Sequence, residues 1–436
     1  MSTITKEIVI SRRLDNQQIS EGGFMRPESL VAWMGCIQAQ DFAGAKWAVG
    51  SRLQQGTEGH NPDGSSPGGG NPGGGRTDDG KPEPASGGGT RAKPGDDKTH
   101  AGKSESADSG GTGAKPDGAG RHWTDAAVQQ AFNEGRILRT HILRPTWHFV
   151  APADIRWMLA LTAPRIAAFC AGMHRQLELD QPTFKKSQAT LQKALAGGRQ
   201  LTRKELLPIF RQAKIRTDEL RLAHLLMQAE LDGVICSGAM SGKQFTYALM
   251  EERAPGGKRL HPEEAVGELA LRYFKSRGPA TLADFAWWAG LTVTDAKKGV
   301  EAHRSQFIQE EVEEQRYWIH SASPLPAGRL SQSSPAASSP PATGIRVLPA
   351  FDEYTVAYKD RDLVLSPKHA LRSGNGIFKP ILLNEGRIAG TWQRTIHKDH
   401  IVITTDLFRP LGRRAVKAAF ARYEAFMQAP LVYHFD

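Results

Sequence analysis

The sequence predicts an α+β protein: three tandem helix–helix–helix–ribbon modules followed by a small β-rich C-terminal unit. Three observations predict it. Stretches with apolar residues at helical spacing alternate with short β-branched and aromatic runs. That alternation recurs in three blocks, and beyond residue 344 strand patterns take over. A chain of 436 residues is long enough for such an assembly and a well-buried core.

Taken in order, Pro27 opens an apolar-periodic helix through Val31, Trp33 and Met34 that ends near Gln38. A second helix is expected over about 42–53, a third from the Thr124-Asp125 cap through Ala131, and a β-ribbon over 137–150. These make a first module, 1–150. Residues 151–260 hold a long helical stretch, 152–195, then a second module. It has a Thr202-x-x-Glu205 capping box, a helix over 217–231 and strands at 234–236 and 245–248. The third module, 261–320, has helices at 262–275, 281–289 and 295–303, with strands within 307–319. Helices followed by a ribbon are the winged-helix arrangement, in which one helix can enter a DNA groove. A Ser/Pro-rich linker, 321–343, leads to the C-terminal unit, 344–436. There Asn384-Glu385-Gly386 turns a tight hairpin over 381–388, and a helix over 413–427 closes the chain.

Residues 56–120 break the pattern. They hold 20 of the 45 glycines and almost nothing apolar, so the stretch 55–121 reads as a disordered insertion. GGG recurs at Gly68, Gly73 and Gly87, but without a preceding strand or a following Lys-Ser/Thr it is not a phosphate loop. This stretch has a net charge of −3 against +10 for the whole chain, leaving +13 on the remainder. A basic folded body points first to polyanionic partners, nucleic acid above all. Cys36, Cys170 and Cys236 are widely spaced with no CxxC or His/Cys cluster in sequence, so neither a disulfide framework nor a zinc or iron–sulfur site is expected. No apolar run of membrane-spanning length occurs, and the N-terminus lacks the pattern of a secretion signal, so a cytoplasmic protein is expected.

Four segments carry a resemblance. Gly35-Cys36-Ile37-Gln38-Ala39-Gln40-Asp41 followed by Gly44-Ala45-Lys46-Trp47-Ala48 is similar to the Gln-x-Gln region of AlkZ-like DNA glycosylases. In register with it stand Leu143-Arg144-Pro145-Thr146-Trp147-His148, then Gly278-Pro279-Ala280-Thr281 with Asp284-Phe285-Ala286-Trp287-Trp288. Leu348-Pro349-Ala350-Phe351-Asp352-Glu353-Tyr354 with Lys359-Asp360-Arg361 completes the set. YcaQ-type members of the same superfamily have Gln-x-Asp; here Asp41 lies three residues after Gln38, so the chain sits on the Gln-x-Gln side. The resemblance implies three winged helices and a β-rich unit around a DNA channel, and excision of N-alkylated purines, including bulky adducts and interstrand crosslinks. The large insertion departs from the family.

The implied catalytic pair is Gln38 and Gln40. A glutamine has no useful pKa and cannot act as an ordinary general base. The substrate removes that need: an N7-alkylguanine or N3-alkyladenine already carries positive charge and departs as a neutral base. Two fixed carbonyl dipoles suffice to stabilise the sugar cation and aim a water. Water is then the nucleophile, with no metal, no cofactor and no Schiff base. From spacing alone, Gln38–Asp41 reads first as a polar helix terminus with ordinary capping, and the resemblance reverses that order. Asp41 is an alternative electrostatic partner or base, and His148 is either structural or a lesion contact. Asp352 and Glu353 with Asp360 and Arg361 read as a buried ion-pair network sooner than an acidic catalytic cluster, and Trp287-Trp288 reads as core. Arg139 and Arg144 on the ribbon and Arg387, Arg394, His397 and Lys398 after the hairpin are candidate DNA contacts, with a solvated basic face as the competing reading. The expected partner is duplex DNA carrying alkylated bases, bound by a nucleoid-associated monomer. A non-catalytic winged-helix regulator is the rival; it would share the basic surface but not need the glutamines.

Overall fold

Thr5 starts the first helix: its hydroxyl accepts the Ile8 amide, so α1 (Lys6–Asn16) begins on a side-chain cap. The computed structural model describes residues 4–54, 123–218, 220–322 and 344–435. The 55–121 insertion and the linker from 323 to 343 lie outside the described residues. Helix α1 has no counterpart in the sequence reading, because its buried face carries Arg12, Arg13 and Asn16 beside Val9 and Ile10.

Helix α2 (Pro27–Met34) has Pro in its first turn and stops at Gly35, whose φ of +73° is a conformation that favours glycine. The helix expected to run to Gln38 is therefore shorter, and β1 (Cys36–Gln38) replaces its end. Then come α3 (Phe42–Gly50), α4 (Asp125–Asn133), β2 (Leu138–His141) and β3 (Trp147–Val150). The three strands form an antiparallel sheet in the order β1-β3-β2.

The long helical stretch is two helices, α5 (Ile155–Gln176) and α6 (Gln181–Leu195), the second capped by Asp180. After β4 (Leu201–Thr202) come α7 (Arg203–Gln212), α8 (Arg221–Leu231), β5 (Ile235–Ser237), β6 (Thr246–Leu249) and α9 (Met250–Arg253). The Thr202/Glu205 capping box is formed in both directions. Next, α10 (Pro262–Arg277), α11 (Leu282–Ala289) and α12 (Val293–Glu301) precede the hairpin of β7 (Phe307–Val312) and β8 (Gln315–His320).

The C-terminal part holds β9 (Ile345–Leu348), the single turn α13 (Glu353–Val356), β10 (Ile381–Asn384), β11 (Arg387–Ile396) and β12 (Ile401–Leu407). The expected turn between β10 and β11 has φ of 53° at Glu385 and 76° at Gly386, the two positive values of a type I′ connection. Helix α14 (Arg413–Met427) has the expected bounds but does not close the chain. Strand β13 (Leu431–Phe435) follows and pairs in parallel with β12, completing a five-stranded sheet β13-β12-β11-β10-β9.

Two apolar clusters position the motif strand. Cys36 of β1 faces a core built mainly from α5, α10, α11 and α12, with Tyr273, Phe274 and Trp288 fully buried. Ile37 faces another, in which Leu30, Trp47 and Phe132 pack with Val347, Trp392, Phe420 and Phe426. The C-terminal sheet thus shares a core with the first block.

The expected buried ion pairs are present with other partners than expected. Arg52 holds Asp352 through two bonds of 2.9 and 2.7 Å, and Arg277 holds Glu353, while Arg361 donates instead to the Thr355 carbonyl. Removing one partner of such a pair leaves a stranded charge, which costs about 3–5 kcal/mol. Asp352→Ala is therefore expected to lower stability by about that amount. Replacing Arg52 and Asp352 together by apolar residues is expected to cost less than the single change; denaturant unfolding of both proteins measures the difference.

Candidate active site

The segment Gln38-Ala39-Gln40-Asp41 joins β1 to α3, and five of its eight polar backbone groups have named partners. The Gln38 amide donates to Glu353 Oε1 at 2.8 Å, and the Ala39 amide to the Trp147 carbonyl at 2.7 Å. Arg139 Nε donates to the Ala39 carbonyl at 3.0 Å. The Gln40 amide donates to the Gln38 side-chain carbonyl at 2.7 Å, and the Asp41 carbonyl accepts the Ala45 amide as α3 begins. Gln40 Oε1 lies 3.4 Å from the Trp147 amide.

The two glutamines are not equivalent. Gln38 is 6% exposed, with its carbonyl turned inward to the Gln40 amide, whereas Gln40 is exposed. Each side-chain carbonyl has two lone pairs, so neither is saturated by one bond. Asp41 is half-buried and precedes α3 without capping it through its side chain, which leaves that carboxylate uncommitted to the helix. The sequence reading placed the pair at a helix end; the structure places it at a strand end, which accounts for the departure from helical geometry that aligned amides require.

Beneath the strand lies a fully buried polar knot. Glu353 Oε2 accepts Arg277 Nε at 3.0 Å, Arg277 Nη2 at 2.7 Å and the Trp288 indole at 2.9 Å. The same guanidinium donates to the Met34 carbonyl at 2.6 Å and the Cys36 carbonyl at 2.8 Å. One carboxylate thus binds the strand at Gln38, and its arginine binds the two residues' carbonyls ahead of it. Sequence reasoning missed Arg277 and gave Glu353 no place at the motif. Contacts spanning 241 and 315 positions leave no local signal.

His148 is the register partner of Gln38 across β1 and β3, and Thr140 is the next in that row. It is fully buried, as a structural histidine would be. Its Nδ1–H donates to the Thr146 carbonyl at 3.0 Å, and Nε2 has no partner. Burial, reinforced by Arg144, pushes its pKa down to about 3, so the ring is neutral.

The six expected DNA contacts separate into different environments. Arg139 is 7% exposed, clasped between the Trp147 and Phe245 rings at 4.3 and 4.4 Å, and burial pushes its pKa down to about 10. It supports the motif from below. Arg144 is partly buried, 5.6 Å from the Trp287 ring. Trp287 is 42% exposed, correcting its assignment to the core, whereas Trp288 is fully buried. A cavity of about 780 Å³ opens beside it, lined by Thr281, Trp287, Lys359, Arg361 and Phe378 among others. Arg387 starts β11 and bonds the Leu363 carbonyl and Glu7. Arg394 lies seven residues along the same strand, about 23 Å away at ~3.3 Å per residue, where it bonds the Tyr423 hydroxyl. His397 and Lys398 are exposed at that far end, with His397 stacked on His400 at 4.6 Å. Arg387 therefore does not share a patch with the other three.

This arrangement of helices and sheets is that of a known repair protein. The chain aligns over its full length, and over the full length of the other, with the solved structure of DNA glycosylase AlkZ from Streptomyces sahachiroi, with a TM-score of 0.68 at 19% identity. The DNA glycosylase AlkZ-like family matches residues 120–427, and the chain belongs to that family. The matched range begins after the Gln38–Asp41 segment. A curated relative, an interstrand DNA cross-link repair glycosylase of Streptomyces sahachiroi, is 28% identical over 194 residues. That match covers 43% of this chain and 49% of the relative, so the chain spans about half the length of the curated relative it matches.

The buried His148 gives a pH signature. Its folded pKa lies below the ordinary value of 6.5, so the unfolded chain binds more protons between pH 6.5 and about 3. The stability it contributes is complete above pH 6.5 and is lost as pH falls toward 3, by at most about 1.4 kcal/mol per pH unit. In unfolding measured from pH 7.5 to 4, His148→Gln is expected to lack this loss, so its stability deficit against the parent protein narrows as pH falls; a constant deficit refutes the assignment.

Proposed function

We infer that the protein is a monofunctional DNA glycosylase that hydrolyses the N-glycosidic bond of N-alkylated purines, with bulky adducts and interstrand crosslinks among its substrates. The observation that carries this reading is the fixed Gln38–Asp41 segment. Its backbone is held by Glu353, Trp147, Arg139 and Gln38 itself, so the dipoles at its surface need no reorganisation when charge develops on the sugar. Family membership and the fold likeness support the same reaction class. The relative named for cross-link repair supports the bulkier substrates.

In this reading the exposed Gln40 carboxamide faces the deoxyribose, and its carbonyl stabilises the oxocarbenium ion and orients the attacking water. The inner Gln38 carbonyl fixes the Gln40 amide and so sets the direction of that residue. Asp41, whose carboxylate is free of the helix cap, supplies negative potential opposite the sugar. The alkylated base leaves neutral, so no acid is needed, and no lysine enters the mechanism. Duplex DNA is the partner, held by helix-and-ribbon modules of winged-helix type, with Arg394, His397 and Lys398 as phosphate contacts at one end of the five-stranded sheet.

The test is release of base from a duplex carrying one N7-methylguanine, read by strand cleavage in alkali. The parent protein is expected to release it, and Gln40→Ala and Gln38→Ala to be at least about tenfold slower, about 1.4 kcal/mol in barrier. If the parent protein binds the duplex but releases neither this base nor a bulkier adduct, the catalytic reading fails and a non-catalytic DNA-binding regulator replaces it. In a companion measurement, Lys398→Ala is expected to weaken duplex binding and reduce the slope of log affinity against log salt by about one.

A further inference from the structure

Of the three cysteines, only Cys170 lies, among the described residues, in a group of side chains that could hold a metal ion. It lies one helical turn before His174 on α5, so the two side chains share a face. Across from them, on α8, stands His224. The donor atoms of Cys170, His174 and His224 all lie within 4.8 Å of one another. Cys170 is 5% exposed and His174 8%, and His224 is half-buried.

What singles out this group is that its donors are unused. His174 Nε2 and His224 Nδ1 are buried without hydrogen-bond partners, and the Cys170 thiol is free. Buried polar atoms without partners are few in native proteins, and here two belong to one group whose donors lie within 4.8 Å, which an unplaced ligand would explain. Neighbouring contacts do not fill the role: the His174 ring meets Phe184 and His224 edge-on, with centroids 5.1 Å away in both cases.

We propose that Cys170, His174 and His224 form a three-ligand site for a zinc-class cation that joins α5 to α8. One thiolate and two imidazoles, with no carboxylate, are borderline-soft donors that suit Zn²⁺ and disfavour Mg²⁺ or Ca²⁺. Tetrahedral zinc, with Zn–N near 2.0–2.1 Å and Zn–S near 2.3 Å, sets its donors roughly 3.3–3.8 Å apart. Closing from 4.8 Å requires about 1 Å of side-chain rotation, available to two imidazoles and a thiol with no competing bonds. Cys170 and His224 also line a cleft of about 580 Å³ with His141, Trp147, Phe169 and Met227, so the fourth position opens to solvent. Trp147 is the residue whose backbone bonds Ala39 and Gln40, so the cation would brace the wall of the cleft next to the motif segment. Sequence reasoning expected no metal because the widely spaced cysteines showed neither a CxxC motif nor a His/Cys cluster; the Cys-x-x-x-His step on a helix was the available signal, and His224, 50 positions on, was not.

The experiment uses the tag-free full chain, dialysed against a chelator and titrated with Co²⁺, then with Zn²⁺. About one equivalent of Co²⁺ is expected to bind with a thiolate-to-metal charge-transfer band and tetrahedral d–d absorption, and Zn²⁺ to displace it. Cys170→Ser is expected to abolish the charge-transfer band, and His224→Gln to weaken binding at least about tenfold, as loss of one ligand should. Circular dichroism of the metal-free variants, expected to match the parent, separates loss of ligand from loss of fold. Absence of the band in the parent protein overturns the site. So does a band that survives Cys170→Ser, or binding unchanged by His224→Gln and removed by His397→Ala, which would trace the metal to the exposed His397–His400 pair.

Discussion

A single carboxylate, Glu353, connects the parts of the molecule that matter for the site. It accepts the Gln38 amide, two nitrogens of Arg277 and the Trp288 indole, and the same arginine reaches the Met34 and Cys36 carbonyls. Burying a carboxylate and a guanidinium costs several kcal/mol per ion unless every lone pair and proton is engaged. Here nearly all are, and the geometry is correspondingly fixed: α2 must end at Gly35, β1 must run against β3, and α10 and α11 must bring Arg277 and Trp288 beneath them. The knot also explains why the motif lies on a strand. A helix would have bonded its own amides and left Glu353 without a donor at Gln38.

The remaining support comes from the ribbon. Arg139, held between two aromatic rings, gives its Nε to the Ala39 carbonyl, and Trp147 offers both its amide and its carbonyl to the same segment. Cation–π contact in a desolvated place is worth about 2 kcal/mol, enough to fix a side chain that would otherwise seek water. Arg139, one of the six candidate DNA contacts, thus holds the motif segment in place.

Much of the fold was legible because it rests on local rules. The Thr202/Glu205 box, the Glu385-Gly386 turn and the bounds of α14 follow from caps, turn chemistry and amphipathic spacing. Where burial opposed polarity, the rules failed: α1 hides behind Arg12, Arg13 and Asn16. The reading of β13 failed otherwise: Leu431-Val432-Tyr433-His434-Phe435 carries the apolar and aromatic signature of a strand, and its half-buried Leu431, Tyr433 and Phe435 pack on the core, but the sequence reading ends the chain in a helix. The site was legible only in part. The residues of the motif were named from resemblance, but the division between an inner Gln38 and an outer Gln40 depends on which carbonyl meets which amide, and His148 reads as polar although it is wholly inside. Arg277 and Glu353 could not be joined from sequence, since nothing in a linear pattern pairs two charges 76 positions apart.

The sharing of one apolar cluster between the first block and the C-terminal sheet, together with the Gln38–Glu353 bond, bears on the order of events during synthesis. The strand that carries the motif leaves the ribosome 315 residues before the carboxylate that secures it. At about 5–20 residues per second, roughly 15–60 s pass before β1 can find its last partner. Through that interval Trp47, Phe132 and their neighbours lack Val347, Trp392 and Phe420, the residues that cover them in the finished protein. The nascent chain therefore emerges with its motif strand unsecured until Glu353 is made, and with an apolar surface uncovered until the C-terminal sheet and α14 follow.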